Sequence, residues 1–256
     1  LRFNGMRLHG NTGGRIEYNG RIISNSIHDF TALASHSALE LAALDSNLYS
    51  AGDYTTSLLQ YSFSKNTKGI IDDILFQSGI MFGKNFSKSW IEGKTKIKPH
   101  KYINFQIRGW AGDFYNDNEI PKQYRTYLSG GIDPMFSSYI YDRTGRSSYA
   151  IMQNQYIQKG PALRGLVKDG SSFASSASMT WGINLDLKTR FLPNIFYDIA
   201  GGDDYNSYSA AGIILGPIII PLYQSWEEVG QSAKNAKWIS DRVRLQFNFN
   251  LASLLQ

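Results

Sequence analysis

The chain has 256 residues, a formal net charge of +5 and no cysteine, and it combines 24 glycines, 16 tyrosines and 14 phenylalanines with only 18% charged residues. The absence of cysteine excludes a disulfide framework, a thiolate metal site and a thiol nucleophile, and the scatter of Lys and Arg along the chain argues against nucleic-acid binding. The aromatic residues favour strands and the glycines favour turns, so we expect a mostly β protein forming a single domain over residues 1–256.

Apolar and polar residues alternate along most of the chain. The pattern is clearest in three segments, 16–22, 103–108 and 243–251. Because side chains point alternately to the two faces of a strand, each segment predicts a strand with one apolar and one polar face. Turn-like sequences separate the alternating segments at 65–69, 98–101 and 201–207. This punctuation predicts about twelve strands.

Two stretches depart from the simple pattern. Residues 27–44 combine helical spacing of apolar side chains with alternation, and we interpret them as a strand, with a short helix as the alternative. From Ile74 to Trp90 apolar residues recur at even-numbered positions, at 74, 76, 80, 82, 86 and 90, which predicts one strand of about seventeen residues, longer than is usual in soluble proteins.

The segment 181–191, WGINLDLKTRF, raises the question of which solvent lies on each face of these strands. In a soluble sandwich the apolar face packs on a second sheet, whereas in an outer-membrane barrel it faces lipid and the polar face lines the lumen. The polar faces carry Asn, Gln, Arg, Asp and Gly, and the strands reach the 9–11 residues that a membrane strand needs. We therefore predict an all-β fold, an antiparallel transmembrane β-barrel, with a soluble sandwich or lipocalin-like barrel as the alternative.

Aromatic residues near the predicted strand ends suggest rings at the two bilayer interfaces. These residues are Trp90, Tyr102, Trp110, Tyr124, Tyr127, Trp181 and Phe191. Longer connections at 134–162 and 224–240 alternate with short ones, as expected when one end of a barrel carries tight turns and the other carries loops.

The order of segments in the second half resembles the carboxyl-terminal barrel of the outer-membrane insertase and two-partner-secretion superfamily, the surface-antigen family. The segments are RTYLSGGIDPMF (125–136), GPALRGL (160–166), SMTWGINLDLKTR (178–190), NIFYDIAGG (194–202) and DRVRLQFNFNL (241–251). The resemblance covers residues 100–256 and extends to the first hundred only by pattern. It implies a sixteen-stranded barrel of which this chain would be the carboxyl-terminal part, and a role in inserting, translocating or anchoring polypeptide at a bacterial outer membrane.

The same resemblance implies a specific contact inside the barrel. Gly130 and Gly131 would form the Gly-Gly strand of the family, and Leu163, Arg164 and Gly165 the motif of a long loop over 134–172 that folds into the lumen. Asp198 would be the acidic partner on the barrel wall, since a guanidinium presents a planar fork to a carboxylate. Departures from the family pattern include Leu166 in place of an aromatic residue and a chain end without a terminal aromatic.

The sequence carries no motif for catalysis. The four histidines have no HExxH or paired metal spacing, and no GxSxG elbow is present. We expect no enzyme activity, metal or cofactor in this chain. The expected partners are outer-membrane lipid and lipopolysaccharide, together with envelope proteins or client polypeptides.

The segments DRTGRSS (142–148) and QNQ (153–155) are also similar to the barrels of some large Bacteroidetes envelope proteins, including proteins with an aminopeptidase-like domain upstream. The alternative function is therefore a passive, porin-like barrel or a membrane anchor for such an upstream enzyme domain.

Overall fold

The computed structural model describes residues 2–8, 11–39, 50–115, 120–128, 160–165, 175–190, 192–225 and 243–245. These residues form an all-β structure dominated by one antiparallel sheet of twelve strands. Each strand of the sheet pairs with the next sheet strand along the chain, and the two strands that flank the long connection 116–179 pair with each other. No helix in the described part of the chain is both long enough and apolar enough to cross a membrane.

The strands are β1 (Arg2–Leu8), β2 (Asn11–Ile23), β3 (Ile27–Leu39), β4 (Gly52–Asn66), β5 (Ile71–Gly83), β6 (Ser87–His100), β7 (Ile103–Tyr115), β8 (Thr126–Tyr127), β9 (Ser175–Ser176), β10 (Thr180–Thr189), β11 (Asn194–Gly202), β12 (Tyr205–Leu215), β13 (Ile218–Gln224) and β14 (Arg244–Leu245). β2 to β7 and β10 to β13 form the body of the sheet, with β1 and the two-residue β14 beside them. β8 and β9 form a separate two-stranded pair, and Lys122–Tyr124 is a 3-10 turn.

The structure confirms one of the two difficult interpretations and corrects the other. Residues 27–39 are strand β3, so the strand reading is correct there, while residues 40–44 lie outside the described residues. The single long strand from Ile74 to Trp90 is wrong, because Gly83 N–H donates to the carbonyl of Phe86 (2.8 Å) and closes a tight turn between β5 and β6. The prediction depended on apolar residues at even-numbered positions on both sides of the turn, and it passed over Gly83, Lys84 and Asn85 between them.

Cross-strand register separates a polar face from an apolar face. Arg108 of β7 lies opposite Asn184 of β10, which lies opposite Asp198 of β11. All three side chains are buried, and so is Gln224 on the same face of β13. The alternate residues along each of these strands point to the opposite face of the sheet, where many large apolar side chains are exposed. They include Ile16, Tyr18, Ile22, Phe30, Leu59, Phe76, Ile91, Ile103, Phe105, Ile183, Leu185, Ile195 and Tyr197.

The two ends of the sheet differ in the length of their connections. At one end, here called the short-turn end, every connection between sheet strands from β2 to β13 has two to four residues, namely 24–26, 67–70, 101–102, 190–193 and 216–217. The three longest connections, 40–51, 116–179 and 225–243, all start from the opposite, long-loop end. Two other connections at this end, 84–86 and 203–204, are as short as the turns at the opposite end, so the alternation is present only in part. Most of the two predicted long connections, 134–159 and 226–240, lies outside the described residues.

Candidate functional site

Two pieces of the long connection between β7 and β10 pack against the polar face of the sheet. These pieces, residues 120–128 and 160–165, are called the insert below. They are joined by a hydrogen bond from the N–H of Leu163 to the carbonyl of Leu128 (2.6 Å). Both leucines are fully buried, together with Phe196 and Ala210 of the sheet. The insert and the sheet therefore share an apolar core on a face that is otherwise polar.

Arg164 of the insert contacts Asp198 of β11 through three different donors. The backbone N–H lies 2.8 Å from Asp198 Oδ2, Nε lies 2.9 Å from the same oxygen, and Nη2 lies 2.6 Å from Oδ1. Both side chains are almost completely removed from solvent. A guanidinium that binds a carboxylate through two parallel donors is among the strongest and most directional polar contacts in proteins.

The remaining surface of the Arg164 guanidinium is also occupied. Nη1 donates to Asp186 Oδ1 on β10, and the guanidinium carbon lies 4.4 Å from the centre of the Phe196 ring. A buried arginine is tolerated only when its charge and its donors are satisfied. Two carboxylates and an aromatic face of the sheet provide this here, so these contacts define where Arg164 lies on the sheet.

A second buried arginine, Arg108 of β7, holds the insert from the neighbouring strands. Its Nε and Nη2 donate to the two carboxylate oxygens of Glu92 on β6, at 2.8 and 2.9 Å. Nη1 donates to Asn184 Oδ1 at 2.7 Å, and Nη2 also reaches the carbonyl of Gly160 in the insert at 2.8 Å. Arg108 thus connects three strands to the insert.

Asn184 joins the two arginine centres. Its amide nitrogen donates to Asp198 Oδ1 (3.0 Å) and to the insert carbonyls of Pro161 (3.2 Å) and Ala162 (3.0 Å). The result is a continuous series of hydrogen-bonded side chains, the wall network, made of the partly buried Glu92 and Asp186 and the buried Arg108, Asn184, Asp198 and Arg164. Positive and negative groups alternate along it, and it spans the four adjacent strands β6, β7, β10 and β11. Chemically, the wall network fixes a polar loop in one position.

Glycines allow the insert to approach the wall closely. A Cβ on Gly182 of β10 would lie 2.6 Å from the carbonyl oxygen of Pro161, and a Cβ on Gly165 would lie 2.6 Å from Cβ of Ala210. Gly160 has φ +60°, a left-handed conformation in which glycine is not strained. The carbonyl of Gly165 also accepts a hydrogen bond from Nε2 of Gln224 on β13.

The first piece of the insert, residues 120–128, packs against strands that come earlier in the chain than the wall network. Tyr124 is buried among Tyr54, Phe86 and Ile120, with ring centres 5.9 Å from Tyr54 and 5.1 Å from Phe86. Burial raises the pKa of the Tyr124 phenol above its usual 10.0, and hydrogen bonding to side chains of β3 and β4 opposes part of this rise. The phenol therefore stays neutral where it packs.

The residues predicted from the sequence fall into three groups. Arg164 and Asp198 are in direct contact, and Leu163 and Gly165 lie beside them in the insert. Gly130 and Gly131 lie outside the described residues. The proposed interfacial positions of Trp110, Tyr124 and Tyr127 are wrong, because all three are buried, Trp110 on the polar face and the two tyrosines in the insert.

The other residues of the wall network do not stand out as a site in the sequence. The alternating segments 103–108 and 181–191 place Arg108, Asn184 and Asp186 on polar faces without grouping them, and the pattern does not single out Glu92. The signal was nevertheless present, since polar side chains at the same height on neighbouring predicted strands become neighbours once register is known. Within the described residues, no three His, Cys, Asp or Glu side chains are grouped so that they could hold a metal ion.

No protein-family model matches the chain, and no curated protein is significantly similar to it.

Proposed function

We propose that the chain forms a transmembrane β-barrel wall of the surface-antigen type in a bacterial outer membrane, with the insert held in the lumen by the wall network. Its role is to insert, translocate or anchor polypeptide at that membrane. The observation that carries the proposal is the inverted polarity of the sheet, whose apolar face is exposed and whose polar face is buried.

Exposing this apolar face to water would be unfavourable, because apolar side chains are stabilised when they are removed from water. Leu59 and Ile91 are 54% and 55% exposed at the middle of their strands, and each large apolar side chain left in water forgoes about 1.5–3 kcal/mol. Soluble monomers rarely expose contiguous apolar patches above a few hundred Å². An apolar face that continues from β2 to β13 is the surface expected for a protein in contact with lipid.

Strand length and connection length support the same conclusion. β2 to β7 and β10 to β12 have 9–15 residues each, and a tilted membrane strand needs about 9–11. Short turns at one end and longer connections at the other are characteristic of outer-membrane barrels, where the turns face the periplasm and the loops face outward. We assign the short-turn end to the periplasmic side on this basis.

The contacts of the insert support a curved sheet. Tyr124 reaches Ser37 on β3, while Gly165 bonds Gln224 on β13. Eight strand spacings separate β3 from β13, which would place them about 38 Å apart in a flat sheet. A small insert that touches both strands is most simply accommodated when the wall bends around it, as in a barrel.

The position of the insert favours polypeptide handling over a wide, permanently open pore. Two buried arginine centres and an apolar core hold it against the wall, so a lumen enclosed by this sheet is narrowed at the middle of the strands. The same wall can anchor an enzyme domain upstream. A large, steady single-channel conductance of the unmodified protein would favour the porin-like alternative instead.

Membrane fractionation of the source cells tests the proposal. We expect the protein in the carbonate-resistant outer membrane, with a folded band on unheated gels that changes mobility after boiling, because closed barrels resist detergent unfolding. Recovery in the soluble fraction without detergent would contradict the proposal. An internal control is a known soluble periplasmic protein, which must be released in the same preparation.

A further inference from the structure

Three successive turns at the short-turn end each combine a basic residue with a large apolar residue. They are 67–70 (TKGI), 101–102 (KY) and 190–193 (RFLP), and together they are called the basic arc. Ile70 and Leu192 in these turns are 67% and 64% exposed. Turn residues in contact with water are normally polar, so these two side chains indicate a surrounding other than water.

Contacts between neighbouring elements hold the basic arc together. The N–H of Lys98 donates to the carbonyl of Ile70 (2.6 Å), and the N–H of Arg190 donates to the carbonyl of Tyr102 (3.2 Å). Lys101 Nζ lies 4.8 Å from the centre of the Tyr102 ring, and the guanidinium carbon of Arg190 lies 5.6 Å from it. An aromatic ring attracts such cations without neutralising them, so both positive charges stay beside an apolar ring.

Positive charge exceeds negative charge around the basic arc when every lysine, arginine, aspartate and glutamate is counted. The three turns and the three strand residues on either side of each contain six basic side chains and two carboxylates, an excess of four positive charges. The basic residues are Lys65, Lys68, Lys98, Lys101, Lys188 and Arg190, and the carboxylates are Asp72 and Asp73.

The two aspartates of the basic arc lie on the polar face, where each contacts Lys96 or Lys98. Lys65 is exposed on the apolar face of β4, and Lys68 and Lys101 are exposed in the turns. These three lysines form no ion pair within the part of the chain that the structure describes. Their charges therefore face the surroundings of the protein.

Other short connections lack this combination of residues. The turns 24–26 (SNS) and 216–217 (GP) at the same end contain no charged and no large apolar residue. At the long-loop end, 203–204 consists of two aspartates, and the turn 84–86 contains a lysine but its Phe86 is buried. The basic arc is thus confined to the middle of one end of the sheet.

We propose that the basic arc binds the phosphate groups of anionic phospholipids in the periplasmic leaflet, with Ile70, Tyr102 and Leu192 inserted beside the acyl chains. This inference rests on the proposed barrel, in which the short-turn end faces the periplasm. Basic side chains attract anionic headgroups, and aromatic and aliphatic side chains partition into the membrane interface. A soluble anion would use the cations but leave the apolar side chains in water, whereas a lipid uses both.

The natural absence of cysteine makes a direct test possible, because one introduced thiol can carry a fluorophore in the full chain in phosphatidylcholine vesicles. In Ile103→Cys the fluorophore lies on the apolar face beside Tyr102. In the control Ile22→Cys it lies on the same face beside the uncharged turn 24–26. Quenching by nitroxide-labelled phosphatidylglycerol is divided by quenching by phosphatidylcholine carrying the same nitroxide, and this ratio measures local enrichment of anionic lipid.

Each lysine or arginine near a membrane surface strengthens its attraction to anionic lipid about fivefold. We therefore expect a ratio of about five or more at Ile103→Cys and of about one at Ile22→Cys. The first ratio should fall towards one in about 1 M salt, where screening acts over about 3 Å. Adding Lys101→Gln and Arg190→Gln should lower it in the same way, whereas Lys84→Gln, in an exposed turn at the opposite end, should leave it unchanged.

Equal ratios at the two labelled positions would overturn the inference, and so would a ratio at Ile103→Cys that the two neutralising substitutions leave unchanged. Insertion of the apolar side chains has its own readout. A nitroxide at Leu192→Cys should collide with lipid-soluble oxygen, and one at Asn25→Cys with a water-soluble nickel complex; nickel access at both would also contradict the lipid site. A chain that fails to enter the vesicles contradicts the barrel itself, whereas an inserted chain without enrichment contradicts the lipid site alone.

Discussion

Replacing Asp198 with asparagine removes the carboxylate on which the wall network depends. Asp198 is fully buried and accepts the backbone N–H, Nε and Nη2 of Arg164 and the amide of Asn184. An asparagine side chain keeps one acceptor oxygen, but its NH₂ group cannot accept a hydrogen bond from the donors of Arg164 and Asn184. Removing one partner of a buried ion pair typically costs about 3–5 kcal/mol. Because Asp186 still binds Arg164, we expect about 3 kcal/mol, which increases the undocked fraction of the insert about 100-fold.

Trypsin cleavage after Arg164 measures this change directly, because the side chain is only 2% exposed in the docked insert. When opening is fast relative to cleavage, the cleavage rate follows the population of the open form. We expect Asp198→Asn to accelerate cleavage by up to about 100-fold and to raise single-channel conductance in planar bilayers. The control is Asp203→Asn, in the exposed turn after β11. Unchanged cleavage and conductance in Asp198→Asn would refute a role for this pair in holding the insert.

Three further changes test other parts of the account. Gly182→Ala should loosen the insert in the same trypsin assay because its Cβ meets the insert backbone, whereas Gly109→Ala, which has open space beside it, should not. Leu59→Arg should destabilise the bilayer-embedded protein by about 2–4 kcal/mol, because it places a charge on the apolar face. The adjacent Gln60→Arg, on the polar face, should have little effect. Equal urea unfolding midpoints for the two variants would contradict the lipid-facing assignment. Burial raises the pKa of the Tyr124 phenol above 10.0, so the stabilisation from the neutral phenol should be lost as pH rises through the folded pKa. In Tyr124→Phe, the unfolding midpoint should no longer fall for this reason at alkaline pH.

The strands were largely predictable because alternation is a local property of the sequence. The segment 181–191 already shows the face assignments that β10 has in the structure, since a strand with one apolar and one polar face has only one way to orient its side chains. Turns were less predictable. Gly83, Lys84 and Asn85 are only a short polar interruption between Phe82 and Phe86, which keep the same even-numbered register, so the hairpin between β5 and β6 was missed.

The candidate site was only half predictable. Arg164 and Asp198 came from an ordered resemblance to a family, and they are in contact. Glu92 and Arg108 could not be placed beside them, because their role depends on cross-strand register and on a connection that crosses the sheet. Similarly, sequence position near a strand end suggested an interfacial role for Trp110, whereas this side chain lies on the polar face of the sheet and is buried.

The most direct test of the central claim is a nitroxide scan along β4 in lipid bilayers, with single cysteines from Ser57 to Phe63. Spin labels at odd-numbered positions, which share the face of exposed Leu59, should collide readily with lipid-soluble oxygen. Even-numbered positions, on the face of Gln60, should instead be accessible to a water-soluble nickel complex. The two accessibilities should therefore oscillate out of phase with a period of two residues. High nickel accessibility on the odd-numbered positions, or no alternation, would contradict a lipid-facing apolar surface.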